Sequence, residues 1–130
     1  VSPCPCGRTA DGRPLDLAAC CGPLLDSTVQ ARTCEQLTRS RYTAFVLGDG
    51  QYLWRTWHPR TRPTEVETGG VQWTGLRVLE TVAGGPDDAE GVVAYEAEYR
   101  DRDDRAGAQR ERARFARRGG RWMYLDGEDG

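Results

Sequence analysis

Apolar positions follow a helical rhythm in the first half of the chain and a two-residue rhythm in the second. From Thr33 to Gly48, Cys34, Leu37, Arg41, Ala44, Phe45 and Gly48 fall on one face, widened by Val46 and Leu47. Thr33 followed three residues later by Gln36 has the form of a capping box, and Gly48 stands where the helix should stop. Asp49 then caps a second, short helix over Gln51 to Trp57, rich in large rings. Pro59 to Gly70 reads as a loop with room for one helical turn.

Beyond Val71 the pattern alternates. Val71 to Val82 changes phase near Gly75, which predicts a β-bulge and a bent strand. After a turn at Gly84 to Asp88, Val93, Tyr95, Ala97 and Tyr99 line one strand face, with Glu96, Glu98 and Arg100 on the other. Asp101 to Gly107 is a charged hairpin loop. The next strand, Gln109 to Arg118, sets Glu111, Ala113 and Phe115 against Arg110, Arg112 and Arg114, and Gly119-Gly120 turns tightly into Arg121 to Leu125. Glu128 to Gly130 is expected to fray. Helices followed by an antiparallel meander predict an α+β protein, with helices on one face of a bent sheet.

Such a sheet encloses a conical hollow, the default place for a ligand. Its expected lining is Arg41, Tyr42, Trp57, His58, Trp73, Tyr95, Tyr99, Glu111 and Trp122. The competing reading makes these rings ordinary core. Arg41 is the misfit on the apolar stripe: a guanidinium there needs a carboxylate or carbonyl partner, or lines a pocket for an anion. His58, the single histidine, is the candidate catalytic acid or base, against a plainer role in satisfying backbone groups at a helix end.

The most specific chemistry precedes all of these elements. Cys4-Pro5-Cys6-Gly7 and Cys20-Cys21-Gly22-Pro23 bring four sulfurs in two close pairs, a donor set suited to a tetrahedral soft metal, with Zn²⁺ the default occupant. Pro5 limits the freedom lost when both sulfurs of the first pair turn to one ion, and Gly7 lets the backbone swing back and aim its N–H at a thiolate. Cys20 and Cys21 can share an ion only if the chain bends sharply, for which Gly22-Pro23 is suitable punctuation. Between the pairs, Asp11-Gly12 signals a turn and Leu15 to Ala19 a short helical turn. Two disulfides, or one disulfide with free thiols, compete with the metal reading and would leave Cys34 over; a buried apolar role suits Cys34 better than a redox one.

The two cysteine pairs resemble the SEC-C motif, the zinc-binding hook at the carboxyl end of the translocase motor ATPase SecA, with a longer spacer here. Arg39 to Ala44, Thr56-Trp57-His58-Pro59, Trp73 to Leu76 and Gly120 to Gly127 resemble the YchJ-like family of small bacterial proteins over nearly the whole chain. That resemblance implies a SEC-C hook on a cone-shaped domain of the nuclear-transport-factor-two-like type, with no settled biochemical activity.

Composition narrows the field. The 130 residues suit one domain, with a hook over residues 1–24 attached to a cone over 25–130. A net charge of −2 gives no global basic footprint for nucleic acid, and Glu96 and Glu98 sit opposite the arginine row. All 18 basic residues are arginine, with lysine, isoleucine and asparagine absent, which reads as genomic bias before function. No run approaches a membrane span or resembles a targeting segment, so the cytoplasm is the expected compartment.

Three functions follow as expectations. The first is a binding module whose structural zinc hook meets a protein or ribosomal partner while the cone either holds a small molecule or merely supports the hook. The second is an enzyme of isomerase, dehydratase or hydrolase type using His58 and Arg41. The third is a redox or metal-handling protein with labile cysteines.

Overall fold

The structure is a computed structural model, and it describes residues 2–129. Strands β1 (Thr9–Ala10) and β2 (Arg13–Pro14), a 3-10 turn at Leu17–Ala19 and helix α1 (Gly22–Leu25) form the amino-terminal hook. Helices α2 (Cys34–Leu47) and α3 (Gly50–Arg55) follow, then an antiparallel meander of β3 (Gln72–Ala83), β4 (Glu90–Arg100), β5 (Ala106–Arg118) and β6 (Arg121–Asp129) in that spatial order.

Local chemistry sets the helix ends. The Thr33 side chain accepts from the Gln36 N–H at 3.1 Å, and Gly48 closes α2 in the left-handed region, where a side chain is disfavoured. Gln36 reaches back one residue further than a capping box requires: its Oε1 accepts from the Arg32 N–H at 2.7 Å. Asp49 caps α3 through the Tyr52 N–H. Helix α3 ends at Arg55, two residues before the expected Trp57, because the next residues are recruited to the sheet edge. There Trp57 bridges Tyr124 in parallel, Tyr124 N–H donates to Thr56 O at 2.9 Å, and His58 N–H donates to Tyr124 O at 2.7 Å.

Strand β3 carries the bulge expected near Gly75 and a second between Val78 and Glu80, so it bends twice. The carboxyl end does not fray over Glu128 and Asp129: they pair with Arg112 and Glu111 of β5. Gly130 lies outside the described residues. On the outer sheet face Arg110 meets the half-buried Glu96, and Arg112 with Glu80 and Arg114 with Asp126 form exposed pairs that add little stability, all three offsetting charge along the arginine row.

Helix α2 packs across the inner face. Cys34 and Leu37 meet Val93, Ala113, Phe115 and Trp122 to form the main core, each large apolar side chain contributing about 1.5 to 3 kcal/mol. A neighbouring cluster of Leu24, Ala44, Tyr52 and Leu53 ties the hook to α2 and α3, with Ser40 Oγ and Tyr52 Oη 2.7 Å apart inside it.

Candidate metal centre and cavity

The hook folds so that its sulfurs converge. Asp11 and Gly12 both take positive φ, the signature of a tight hairpin, and bring β2 back along β1. Cys4 N–H donates to Leu15 O and Leu15 N–H to Arg8 O, which fixes the first pair against the segment leading to the second. Cys20 then takes an unusual backbone conformation, φ −127° and ψ −98°, and Gly22 with Pro23 starts α1. This bend turns two adjacent side chains to one side.

All four sulfurs lie within 4.8 Å of one another, with Cys6 Sγ 3.6 Å from Cys20 Sγ and Cys20 Sγ 3.9 Å from Cys21 Sγ. A regular tetrahedron with metal–sulfur bonds of about 2.3 Å has edges of about 3.8 Å. The spacing therefore matches a thiolate cage, and all five cysteines are free. Donor chemistry agrees. A hydrogen bond from Cys21 holds the Cys6 thiol far below its usual range, burial pushes Cys20 up, and the bond to Cys6 pushes Cys21 up. Sulfurs packed this closely repel one another's charge, and a divalent cation is what lets all of them ionise. The residues present thus fit a metal, and Cys4, Cys6, Cys20 and Cys21 would hold it. Gly7, the expected donor to a thiolate, gives its N–H to the Cys4 carbonyl instead.

This cluster is seated in the domain. Cys4, Cys6 and Cys21 are buried with Tyr42 and Ala97, beside Trp73, Leu76 and Tyr95. Cys4 Sγ lies 3.7 Å from Thr43 Oγ1, and Arg39 donates from Nη1 to Cys6 O at 2.9 Å.

Tyr42, Trp73, Leu76, Tyr95 and Ala97 also border a cavity of about 300 Å³ between α2 and the sheet. Of the residues singled out in the sequence, Arg41, Tyr42, Trp57, Trp73, Tyr95 and Glu111 lie on it, together with Thr38, Phe45, Leu76, Ala97, Gln109, Ala113 and Tyr124. Glu111 is clasped by two phenols, accepting from Tyr95 Oη at 2.8 Å and Tyr124 Oη at 3.0 Å. Burial first and the Glu111 charge second push both phenols well above their ordinary range. Burial likewise lowers the Arg41 guanidinium to about 10, which leaves it charged near neutrality.

Three expected lining residues lie elsewhere. His58 is at the surface, where its Nδ1 accepts from the Arg60 N–H at 3.1 Å; it caps a turn and does not reach the cavity, because pairing with β6 points it past the cone. Trp122 belongs to the main core and donates from Nε1 to Arg32 O. Tyr99 packs edge-on against Trp73 from outside, 5.7 Å between centroids, and covers Gly107. Tyr124 and Gln109 were legible and missed: each sits two residues from a chosen position on its own strand, Trp122 and Glu111.

Comparison with known proteins is consistent over the whole length. Residues 33–127 match the family model described as YchJ, middle NTF2-like domain. A UPF0225 protein of Streptomyces coelicolor is 46% identical over 127 residues, spanning 97% of this chain and 94% of the relative. Another, from Polaromonas naphthalenivorans, is 43% identical and covers 98% of both. The solution structure of a SEC-C motif containing protein from Rhodopseudomonas palustris superposes with a TM-score of 0.84 at 30% identity, covering 98% of each chain. A crystal structure of a SEC-C motif containing protein from Psychrobacter arcticus gives 0.80 at 25% identity, over 97% of this chain and 81% of that one.

Proposed function

The chain belongs to the YchJ family of UPF0225 proteins, and from that premise we propose that it is a zinc-stapled binding module whose cavity receives a small ligand. The carrying observation is one shared wall: Tyr42, Trp73, Leu76, Tyr95 and Ala97 pack against the sulfur cluster and also line the cavity. Zinc, when bound, supplies a fixed charge that holds Cys4, Cys6, Cys20 and Cys21 together as thiolates. The chain's own residues do the rest. The clamped hook fixes Tyr42 and Ala97, and these set the cavity's shape.

The exposed tip of the hook, β1 and β2 with the Asp11-Gly12 turn, is the surface it would offer a protein partner. A thiolate centre of this kind belongs in a reducing compartment, and the cytoplasm is the one we assign. No helix among the described residues is long and apolar enough to cross a membrane.

Metal analysis and a thiol titration of protein purified without chelator test the staple. One zinc per chain is expected, with the four hook thiols protected until the metal is removed. Stoichiometric metal-free protein with fast-reacting thiols would instead support the labile-cysteine reading.

A further inference from the structure

We propose that the cavity binds a small planar monocarboxylate, its anionic end on Arg41 and its flat body between the aromatic walls. This rests on the binding-module reading and adds the class of ligand.

Arg41 is 7% exposed and lines the cavity. Its Nη1 is engaged, donating to Leu53 O at 2.8 Å and Thr56 Oγ1 at 2.7 Å, which anchors the side chain to the end of α3. Among the described residues its Nε and Nη2 donate to no protein group, and no carboxylate forms an ion pair with it. Glu111, on the same cavity, already accepts from Tyr95 and Tyr124. The Glu111 charge acts on the guanidinium from across the cavity without pairing with it, so Arg41 is a buried charge with no direct ion-pair partner, a costly arrangement that an anion seated on its free edge relieves.

The guanidinium is also held in place. Its Cζ lies 4.6 Å from the Tyr124 ring centroid and 5.3 Å from that of Trp57, so its free donors are fixed before any ligand arrives. Beside it the Trp57 Nε1 is buried with no acceptor, the sole side-chain nitrogen or oxygen in that condition among the described residues. The free edge of Arg41 is thus the donor that the cavity offers, with the Trp57 ring beside it as an aromatic wall. Bidentate geometry and a single counter-charge suit a carboxylate better than a phosphate dianion. A volume of about 300 Å³ is at the small end for ligand sites and admits roughly one ring with its substituent. The Glu111 carboxylate disfavours a second anionic group, and its remaining lone pairs suit a ligand hydroxyl.

The four indole N–H groups provide the test. Trp57 and Trp73 line the cavity, whereas Trp54 and Trp122 lie outside it and donate to Pro63 O and Arg32 O. Titrating zinc-loaded, ¹⁵N-labelled full-length chain with benzoate should move the Trp57 and Trp73 resonances to saturation and leave the other two in place. Benzamide, the same shape without the charge, should bind about tenfold more weakly, and benzylamine not at all. Arg41→Lys should weaken benzoate about tenfold by removing the planar fork, and Arg41→Met should abolish its binding. If Arg41→Met does not fold, the benzoate and benzamide comparison on the wild type decides alone. Benzamide binding as well as benzoate at the cavity indoles would overturn the carboxylate assignment and leave the binding module standing. If no probe, charged or neutral, moves either cavity indole, both fall.

Discussion

Arg39 donates from Nη1 to the carbonyl oxygen of Cys6 at 2.9 Å while its Nε holds Glu35 at 3.0 Å, one turn back on α2. The helix therefore grips the hook by its main chain, at a residue whose sulfur belongs to the metal cluster. Hook and cone are packed as one body at this point, so a disturbance of the sulfurs has a route to the cavity wall.

Chelation should accordingly do more than loosen the first residues. Removing the metal leaves like-charged or protonated sulfurs packed against Tyr42 and Ala97, and the shared wall relaxes with them. We expect the melting temperature to fall by about 10 °C or more and the Trp73 indole resonance to move, with both recovering on addition of zinc. Cys20→Ser should behave similarly. A Trp73 signal indifferent to metal would separate the hook from the cavity.

Arg39→Ala removes the grip without touching a sulfur. The side chain is 18% exposed, so the lost bonds are partly shielded from water and the cost should be about 1 to 2 kcal/mol in urea denaturation. The informative measurement is the rate at which a chelator strips zinc, which should rise. An unchanged rate would mean that the hook closes by itself.

Gly127 on β6 is required by Glu111. A Cβ at that position would overlap the Glu111 carboxyl group, so Gly127→Ala must displace the side chain that Tyr95 and Tyr124 clasp. Overpacking of this kind costs about 1 to 3 kcal/mol. Glu111→Ala removes the obstacle, and the double variant should be less destabilised than the two single changes summed. Simple additivity would refute the steric account.

Most of this architecture was readable from the chain. Thr33, Gln36 and Gly48 mark α2 because capping is local chemistry, and the Gly119-Gly120 turn and the Gly75 bulge are equally local. The sulfur cluster was legible because four cysteines at that spacing have few other uses. What failed was tertiary. Trp57 and His58 leave α3 because β6 claims their backbone, a pairing across more than sixty residues that no local pattern announces. Trp122 and Tyr124 alternate onto one strand face and both meet the main core, yet only Tyr124 also reaches the cavity, a difference that depends on what packs over each and not on the strand's own period.

Cys34 separates itself from the other four thiols by position. A side chain on Gly84 or Gly91 would come within about 3 Å of its sulfur, so the thiol fills a notch left by two glycines where β3 turns toward β4. Burial first, and Asp88 to a lesser degree, push it up to about 12. An unfolded thiol ionises near 8.5, at the ordinary value. The folded form therefore holds its proton more tightly, and this contribution to stability is fully present below about 8.5 and is lost as pH rises toward 12. Urea midpoints of wild type and Cys34→Ala should differ by a constant amount between about pH 6 and 8, and the wild-type advantage should shrink above that. Alkylation at about pH 8 in chelator should modify the four hook cysteines within minutes and reach Cys34 only as fast as the domain unfolds. Labelling of Cys34 at the hook's rate, or parallel stability curves across the alkaline range, would show that the notch does not seal its sulfur from water.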